Sequence, residues 1–298
     1  MASKFLKIFV IVGILFLISF LLAKNFNSID FSDKIVFISI KGTIVSSSSN
    51  GIFNEQQATS TGVISYLNKA KNDNTIKAVI LEINSPGGEA LASREIVEAV
   101  KGMNKPVVAW IRDVGASGAY WVASASNKIV ASPMSITGSI GVISSYLEFS
   151  KLFEKYGITY QRLTSGELKD VGSPYRELSD TERMYLQKKL DIIHEHFIDV
   201  VAENRNMSKE KARKLADGSF YLGTEAKELG LVDYLGDREF AIDLAKKMVN
   251  NTEVKVITYK KKETFWQQIT KLSSYYIGIG IGETLMNFNL EKEIRIKA

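Results

Sequence analysis

The chain contains no cysteine and only two histidines among its 298 residues. The absence of cysteine excludes a cysteine protease, a thiolate metal site and any disulfide. The formal net charge of +5 is modest, and the lysines near the two chain ends do not form one basic face. Nucleic-acid binding is therefore disfavoured, whereas attraction to anionic lipid is expected near both ends. These lysines are Lys4, Lys7, Lys24 and Lys260–Lys262.

The two histidines, His194 and His196, stand two residues apart in a segment with helical spacing. That spacing points them to different faces of a helix, and neither has a nearby aspartate in the arrangement of a Ser-His-Asp triad. The same geometry argues against one metal ion held by both side chains. We interpret them as surface or interface histidines, and no metal or nucleotide cofactor is expected.

An uncharged, largely apolar stretch over residues 8–23 follows Lys4 and Lys7. It is short for a transmembrane helix, which needs roughly 20 apolar residues, but short spans are tolerated. A cleavable signal peptide needs small residues before the cut, and this stretch offers one only at its last position. We therefore favour an uncleaved signal anchor in the cell membrane over a cleaved signal. Residues 1–7 are then cytoplasmic, 24–33 form a linker, and the remainder lies outside the cytoplasm.

Short runs rich in β-branched residues alternate with stretches of helical spacing. This alternation is typical of βα crossover units, so we predict an α/β fold with a largely parallel sheet. One domain is expected over residues 34–259, which is long enough to bury its own core. A C-terminal tail, 260–298, carries a possible amphipathic stripe. The predicted strands are Ile35–Ile40, Ile76–Ile83, Pro106–Ile111, Lys128–Ala131 and Ile158–Leu163.

Three helices carry capping signals in the sequence, one of them at Ser208. Ser179 and Glu182 have the spacing of a capping box and precede a long apolar repeat, which predicts a helix packed on the sheet or on a neighbouring subunit. Thr224 is predicted to cap a short helix that ends at Gly230.

Two glycine-rich turns, Asn84–Gly88 and Gly115–Tyr120, each follow an apolar run and each open a helix-like stretch. Parallel strands would bring two such turns together at neighbouring strand ends. A carbonyl under attack needs backbone N–H groups close to the developing oxyanion, and glycine permits that approach because it has no Cβ. The pair of turns therefore predicts an oxyanion hole beside a serine nucleophile, Ser117.

A serine hydroxyl is a poor nucleophile until a base removes its proton. With the histidines disfavoured, lysine is the remaining candidate, and a lysine acts near neutral pH only where burial or a neighbouring cation lowers its pKa. Lys169 lies in a turn-rich stretch, Thr164–Gly172, between the apolar Leu168 and Val171. Most lysines simply solvate a surface, so spacing alone leaves that alternative open.

Ser139 is a rival nucleophile because it also stands between glycines, in Gly138–Gly141. Ser117 is preferred, since a helix-like run, Ala119–Ser126, follows it and would place its hydroxyl at a positively polarised helix N-terminus. The residues around Ser117 differ from the Gly-x-Ser-x-Gly elbow, which disfavours an α/β-hydrolase.

Five motifs in this order resemble the short form of the signal peptide peptidase A (SppA) serine peptidases, which are membrane-anchored relatives of the ClpP and crotonase folds. The resemblance covers roughly Ile35 to Asp237. Its motifs are Asn84–Gly88, Ala116–Tyr120, Thr137–Val142, Ser165–Asp170 and Asp217–Asp233.

The resemblance implies a ClpP/crotonase-like fold and a Ser/Lys dyad in which Ser117 attacks and Lys169 is the general base. It further implies that the N–H groups of Gly88 and Gly118 form the oxyanion hole and that Ser139 bonds the lysine amine. The implied assembly is a homo-oligomeric ring whose neighbouring subunits build each site. The implied substrates are remnant signal peptides and other short apolar peptides, cut through an acyl-enzyme.

Three other functions are weighed against this one. A non-catalytic membrane scaffold is disfavoured because Ser117, Lys169 and Gly88 are all intact. A general envelope quality-control protease of the same fold stays open. An acyl-CoA enzyme of the crotonase type is disfavoured by the export signal, because CoA substrates are cytosolic.

Overall fold

A computed structural model of the protein describes residues 12–16, 19, 32–47, 57–259, 279 and 283. The strands in this part of the chain are β1 (Lys34–Lys41), β2 (Thr43–Val45), β3 (Gln57–Thr59), β4 (Ile76–Ser85), β5 (Val107–Ala116), β6 (Lys128–Ala131), β7 (Ile136–Gly138), β8 (Phe220–Leu222), β9 (Tyr234–Leu235) and β10 (Lys255–Thr258). The helices are α1 (Ser60–Asn72), α2 (Ala90–Lys101), α3 (Gly118–Ser124), α4 (Ser150–Lys155), α5 (Asp180–Asn204), α6 (Lys209–Lys214), α7 (Gly223–Leu229) and α8 (Arg238–Met248).

The main sheet has the strand order β10-β1-β4-β5-β6-β9, and every pair along it is parallel. The short β7 continues beside the end of β5 and pairs antiparallel with β8. A parallel sheet is covered on both faces, so its strands are apolar almost without interruption, and this explains the β-branched runs. The prediction of an α/β fold with a mostly parallel sheet is confirmed.

Apolar side chains alternate between the two faces of the sheet. In β4, Val79, Leu81 and Ile83 belong to the larger core, which also contains buried residues of α1, α2, α3 and α5. Ala78 and Ile80 point to the opposite face and pack with buried residues of α8. Most helices therefore cover one face, and the chain segments that leave the carboxyl ends of β4, β5 and β7 meet at one edge of the sheet.

The caps predicted at Ser179 and Thr224 differ in outcome. Ser179 and Glu182 form the capping box of α5, with hydrogen bonds in both directions. Thr224 does not cap α7, because the helix already begins at Gly223, the residue before Thr224. A Cβ on Gly223 would lie 2.0 Å from the Ser132 carbonyl oxygen, so tertiary packing places this helix start. The helix ends at Gly230, as predicted, and Gly230 adopts the left-handed conformation.

Residues 143–178, which we call the arm, contrast with the buried sheet. The predicted strand Ile158–Leu163 is wrong: these residues are exposed and pair with no strand in the described part of the chain. A strand needs a hydrogen-bonded neighbour, whereas the residues of the arm contact one another instead. The Phe153 ring stacks on the Tyr175 ring at 5.5 Å, and the Phe149 N–H donates to the Pro174 carbonyl at 2.7 Å.

Contacts divide the chain into two units, Met1–Tyr259 and Lys260–Ala298. Of the predicted anchor, residues 12–16 and 19 are helical. Among the residues that the structure describes, no helix has both the length and the apolar character needed to cross a membrane. The rest of the anchor, most of the linker and most of the tail lie outside the described residues.

Candidate active site

Ser117 links the end of β5 to the start of α3. Its backbone has φ 53° and ψ −126°, in a region that residues with a side chain seldom adopt. The Ser117 N–H donates to the Gly138 carbonyl at 2.8 Å, and the Ser117 carbonyl accepts from the Trp121 N–H at 2.9 Å. Such conformations persist only where the surroundings hold them, and they cluster at functional sites.

The turn after β4 packs against Ser117 with no room for side chains. A Cβ on Gly87 would lie 2.9 Å from the Ser117 Cβ, and a Cβ on Gly88 would lie 2.0 Å from the Ile44 carbonyl oxygen. Ile44 holds this turn on both sides. Its N–H donates to the Gly87 carbonyl at 2.8 Å, and its carbonyl accepts from the Glu89 N–H at 2.9 Å.

Gly88 and Gly118 are neighbours in space. The Gly88 nitrogen lies 3.4 Å from the point that a Cβ on Gly118 would occupy, and the Ser93 hydroxyl lies 2.3 Å from that point. Neither the Gly88 N–H nor the Gly118 N–H donates to any group in the described part of the chain. Two unused amides beside a serine are the arrangement that an oxyanion hole requires.

A cavity of about 190 Å³ opens beside Ser117. Its apolar lining comes from Trp121, Val142, Ile143 and Phe197, and the rings of Trp121 and Phe197 stack at 4.5 Å. An apolar cavity next to a nucleophile is suited to a hydrophobic side chain of a bound peptide. Sequence reasoning missed these lining residues. The i+4 spacing from Ser117 could have identified Trp121, but no local pattern indicates Phe197.

Glu89 also lines this cavity. Its carboxylate accepts hydrogen bonds from the Ser46 hydroxyl at 2.5 Å and from the Ser46 N–H at 2.8 Å. These bonds hold the pKa of Glu89 below its ordinary value. A negative charge is therefore fixed at the rim of the cavity.

Ser139, the rival nucleophile, occupies the turn next to Ser117. Its φ is 50°, and its N–H donates to the Ser219 carbonyl at 2.8 Å. The preceding Gly138 supplies the carbonyl that holds the Ser117 N–H. The structure thus brings together the turns of Ser117, Gly88 and Ser139. Ser117 lies beside both unused amides, because Gly118 follows it directly and a Cβ on Gly87 would lie 2.9 Å from the Ser117 Cβ.

Lys169 is not brought to this site within one chain. Its side chain is exposed on a turn of the arm, and it is not among the residues that line the cavity. The adjacent Asp170 is held by Arg176 and Arg162, whose Nε atoms lie 3.0 and 3.5 Å from its carboxylate.

The two histidines lie on α5, and neither is among the residues that line the cavity. His196 is exposed and presents its ring to Trp121 at 5.6 Å. His194 is half-buried, and its Nε2 has no hydrogen-bond partner within the described residues. Neither is paired with Ser117, so a Ser-His arrangement gains no support.

The fold and the site define an α/β hydrolytic enzyme with a serine at the end of a parallel strand. The family model of peptidase family S49 matches residues 99–253, and the Clp protease model matches residues 43–136. The chain belongs to peptidase family S49, and it is a serine peptidase of the SppA type.

Three relatives give the extent of this likeness. A protease of Methanocaldococcus jannaschii is 37% identical over 246 residues, which cover 82% of this chain and 78% of that protein. The Enterococcus faecium protein named signal peptide peptidase SppA is 38% identical over 234 residues, which cover 78% of this chain and 68% of that protein. Protease 4 of Haemophilus influenzae is 33% identical over 224 residues, covering 74% of this chain but 36% of its own length.

Among solved structures, a mutant of the 1510-N membrane-bound stomatin-specific protease superposes with a TM-score of 0.50. It is 19% identical and covers 78% of this chain and 99% of that chain. At this identity the likeness concerns the fold alone.

Proposed function

We propose that this protein is a membrane-anchored endopeptidase in which Ser117 is the nucleophile and Lys169 is the general base. The observation that carries the proposal is the position of Ser117, which has a strained backbone and lies beside two unused amides and an apolar cavity. Ser139 is proposed to orient the lysine amine, because its turn adjoins that of Ser117.

The chemistry follows from these groups. The Ser117 Oγ attacks the scissile carbonyl carbon while its proton passes to the neutral Nζ of Lys169. The N–H groups of Gly88 and Gly118 then bond the oxyanion that forms. The tetrahedral intermediate collapses, and the lysine returns the proton to the departing amine. Water, deprotonated by the same lysine, hydrolyses the acyl-enzyme and frees Ser117.

We further propose that the base comes from a neighbouring copy of the chain in a homo-oligomeric ring. Lys169 is exposed, and large apolar side chains of the same arm are exposed too, with Leu163 fully and Ile143 and Leu147 at 85% and 72%. A soluble monomer seldom exposes so many apolar groups in one region. Association would cover them and bring Lys169 beside the Ser117 of a second copy.

The proposed substrates are remnant signal peptides and other short apolar peptides. The cavity wall of Trp121, Val142, Ile143 and Phe197 suits an apolar side chain. A relative that is 38% identical over 234 residues is named a signal peptide peptidase. An anchor over residues 8–23 would hold the catalytic domain outside the cytoplasm, where such peptides collect at the lipid surface.

The test is covalent labelling of the full chain in detergent with a fluorophosphonate, which phosphonylates activated serines. Intact mass and peptide mapping should place one adduct on Ser117. Ser117→Ala should remove the adduct, while Ser145→Ala, which removes an exposed serine of the arm, should leave it. An adduct that survives Ser117→Ala and disappears in Ser139→Ala would overturn the assignment of the nucleophile.

A further inference from the structure

Asp170 follows the proposed base directly, and the chemistry described above gives it no role. It is one member of a chain of charged groups that we call the Arg176 clamp, made of Asp170, Arg176 and Glu182. The side chains of these residues are 18%, 23% and 6% exposed, respectively, so the clamp is largely shielded although the arm around it is exposed.

Arg176 uses its whole guanidinium group in this clamp. Its Nε donates to the Asp170 carboxylate at 3.0 Å, and its Nη2 donates to the Asp170 backbone carbonyl at 2.9 Å. On the other side, Nη1 and Nη2 donate to the two carboxylate oxygens of Glu182 at 2.8 and 2.5 Å. The planar fork of arginine fits this two-sided arrangement, and lysine could not reproduce it.

Glu182 is itself fixed to the body of the protein. It completes the capping box with Ser179 at the start of α5, and the same helix is buried in the core from Phe197 onward. About 15 residues, or roughly 22 Å of helix, separate these two points. The clamp thus ties the backbone next to Lys169 to α5, the longest helix among the residues that the structure describes.

Outside the clamp, Arg162 also holds the turn that carries Lys169, because its Nε lies 3.5 Å from the Asp170 carboxylate and its Nη2 donates to the Glu167 carbonyl at 3.4 Å. Within the turn itself, the backbone hydrogen bonds are long. Its regular contacts are the Lys169 N–H to the Gly166 carbonyl at 3.2 Å and the Val171 N–H to the Leu168 carbonyl at 3.3 Å, both long for hydrogen bonds. We propose that Arg176 is a positioning residue for the catalytic base: by fixing Asp170, it sets where the Lys169 amine lies when it reaches a nucleophile. This inference rests on the proposed function of Lys169.

The Arg176–Glu182 pair of the clamp keeps its charges over a wide pH range. Arg176 lowers the pKa of Glu182 from 4.5 to about 2, chiefly through their direct hydrogen bonds. The guanidinium in turn has its pKa raised by the two carboxylates. This pair therefore stays charged near neutral pH, and we infer that the clamp acts by position.

The experiment compares two substrates with the same acyl part in the full-length oligomer. A peptide amide needs a proton from the lysine to expel its amine, whereas an activated nitrophenyl ester does not, because nitrophenolate leaves unprotonated. Arg176→Gln should lower kcat for the amide about a hundredfold, as a misplacement near 1 Å can do, with KM within about twofold. The same variant should lower ester turnover less, because ester cleavage needs the lysine to deprotonate Ser117 and the hydrolytic water but not to protonate a leaving group. A merely structural loss would lower both rates equally.

Matched variants complete the test. Arg183→Gln removes an exposed arginine of α5 and should retain both rates, while Arg176→Lys should not rescue the amide. If Arg176→Gln fails to assemble, Asp170→Asn probes the clamp with the Arg176–Glu182 pair intact. Amide turnover in Arg176→Gln equal to that in Arg183→Gln, with Lys169→Ala inactive, would overturn this inference alone. An active Lys169→Ala would overturn the proposed function itself.

Discussion

The main sheet with its covering helices, which we call the body, and the arm position their proposed catalytic groups in opposite ways. Ser117, Gly88 and Gly118 lie at the ends of buried parallel strands, where backbone hydrogen bonds and close glycine contacts fix each atom within one chain. Lys169 lies on an exposed turn that packs mainly on the arm itself. The comparison teaches that one half of the proposed dyad is held by the sheet within one chain, whereas the other half is exposed and is not among the residues that line the cavity beside Ser117.

This comparison is tested most directly by replacing each residue of the proposed dyad, Ser117 and Lys169, in turn. Ser117→Ala and Lys169→Ala should each lower peptide turnover by about 10⁴-fold or more, and the double variant should lose little beyond that, because the pair acts as a unit. Lys169→Arg should be equally inactive, since arginine cannot accept the proton. Hydrolysis of a fluorogenic apolar peptide measures these losses.

Mixing the two inactive chains distinguishes a shared site from a site within one chain. If Lys169 acts on a neighbour, co-assembled Ser117→Ala and Lys169→Ala chains should regain roughly a quarter of the activity, because each site draws on two chains. A mixed oligomer that stays inactive would show that each site uses its own lysine.

The next largest effect is expected in the body. Gly88→Ala would place a Cβ 2.0 Å from the Ile44 carbonyl oxygen, so the turn must shift and carry its N–H away from the oxyanion. Loss of one such donor typically costs about 10²–10³ in kcat. Kinetics give the loss, and circular dichroism checks that the fold survives. Wild-type kcat in a folded Gly88→Ala would exclude this amide from the oxyanion hole.

A smaller effect is expected from a single apolar change in the arm. Leu163→Glu puts a charge on a fully exposed leucine, and if the arm is an interface it should weaken association by about tenfold or more. Met134→Glu, at a 74% exposed site of the body, is the matched control. Light scattering reports the oligomer, and turnover should fall with it. Equal association and equal turnover in the two variants would argue against an interface on the arm.

The smallest effect concerns acid stability. The pKa of Glu182 is lower in the folded protein than in the unfolded chain, so its contribution to stability is present above about pH 5 and is lost as the pH falls toward 2. Glu182→Gln should therefore be less stable than wild type near neutral pH, with the difference narrowing in acid. Thermal denaturation between about pH 7 and pH 3 measures this. A constant difference would mean that the clamp contributes nothing through its charge.

The sequence predicted the glycine turns around Ser117 better than the residues that line the cavity beside it. Turns at Asn84–Gly88 and Gly115–Tyr120 were predictable because glycine requirements are local and follow apolar strands. The cavity wall was not, because Phe197 reaches Trp121 from a helix about 75 residues further along the chain. The strand predicted over Ile158–Leu163 was wrong because β-branched residues favour a strand only where a neighbour pairs with it.

The sequence by itself determined the alternation of strands and helices, the capping box of α5 and the glycines that Ser117 needs around it. These depend on short-range sterics and hydrogen bonds, which neighbouring residues settle. Only the tertiary structure decided that Ile44 holds the Gly88 turn, that the turns of Ser117 and Ser139 adjoin, and that Lys169 stays exposed. Those outcomes depend on contacts between distant segments, whose packing no local pattern encodes.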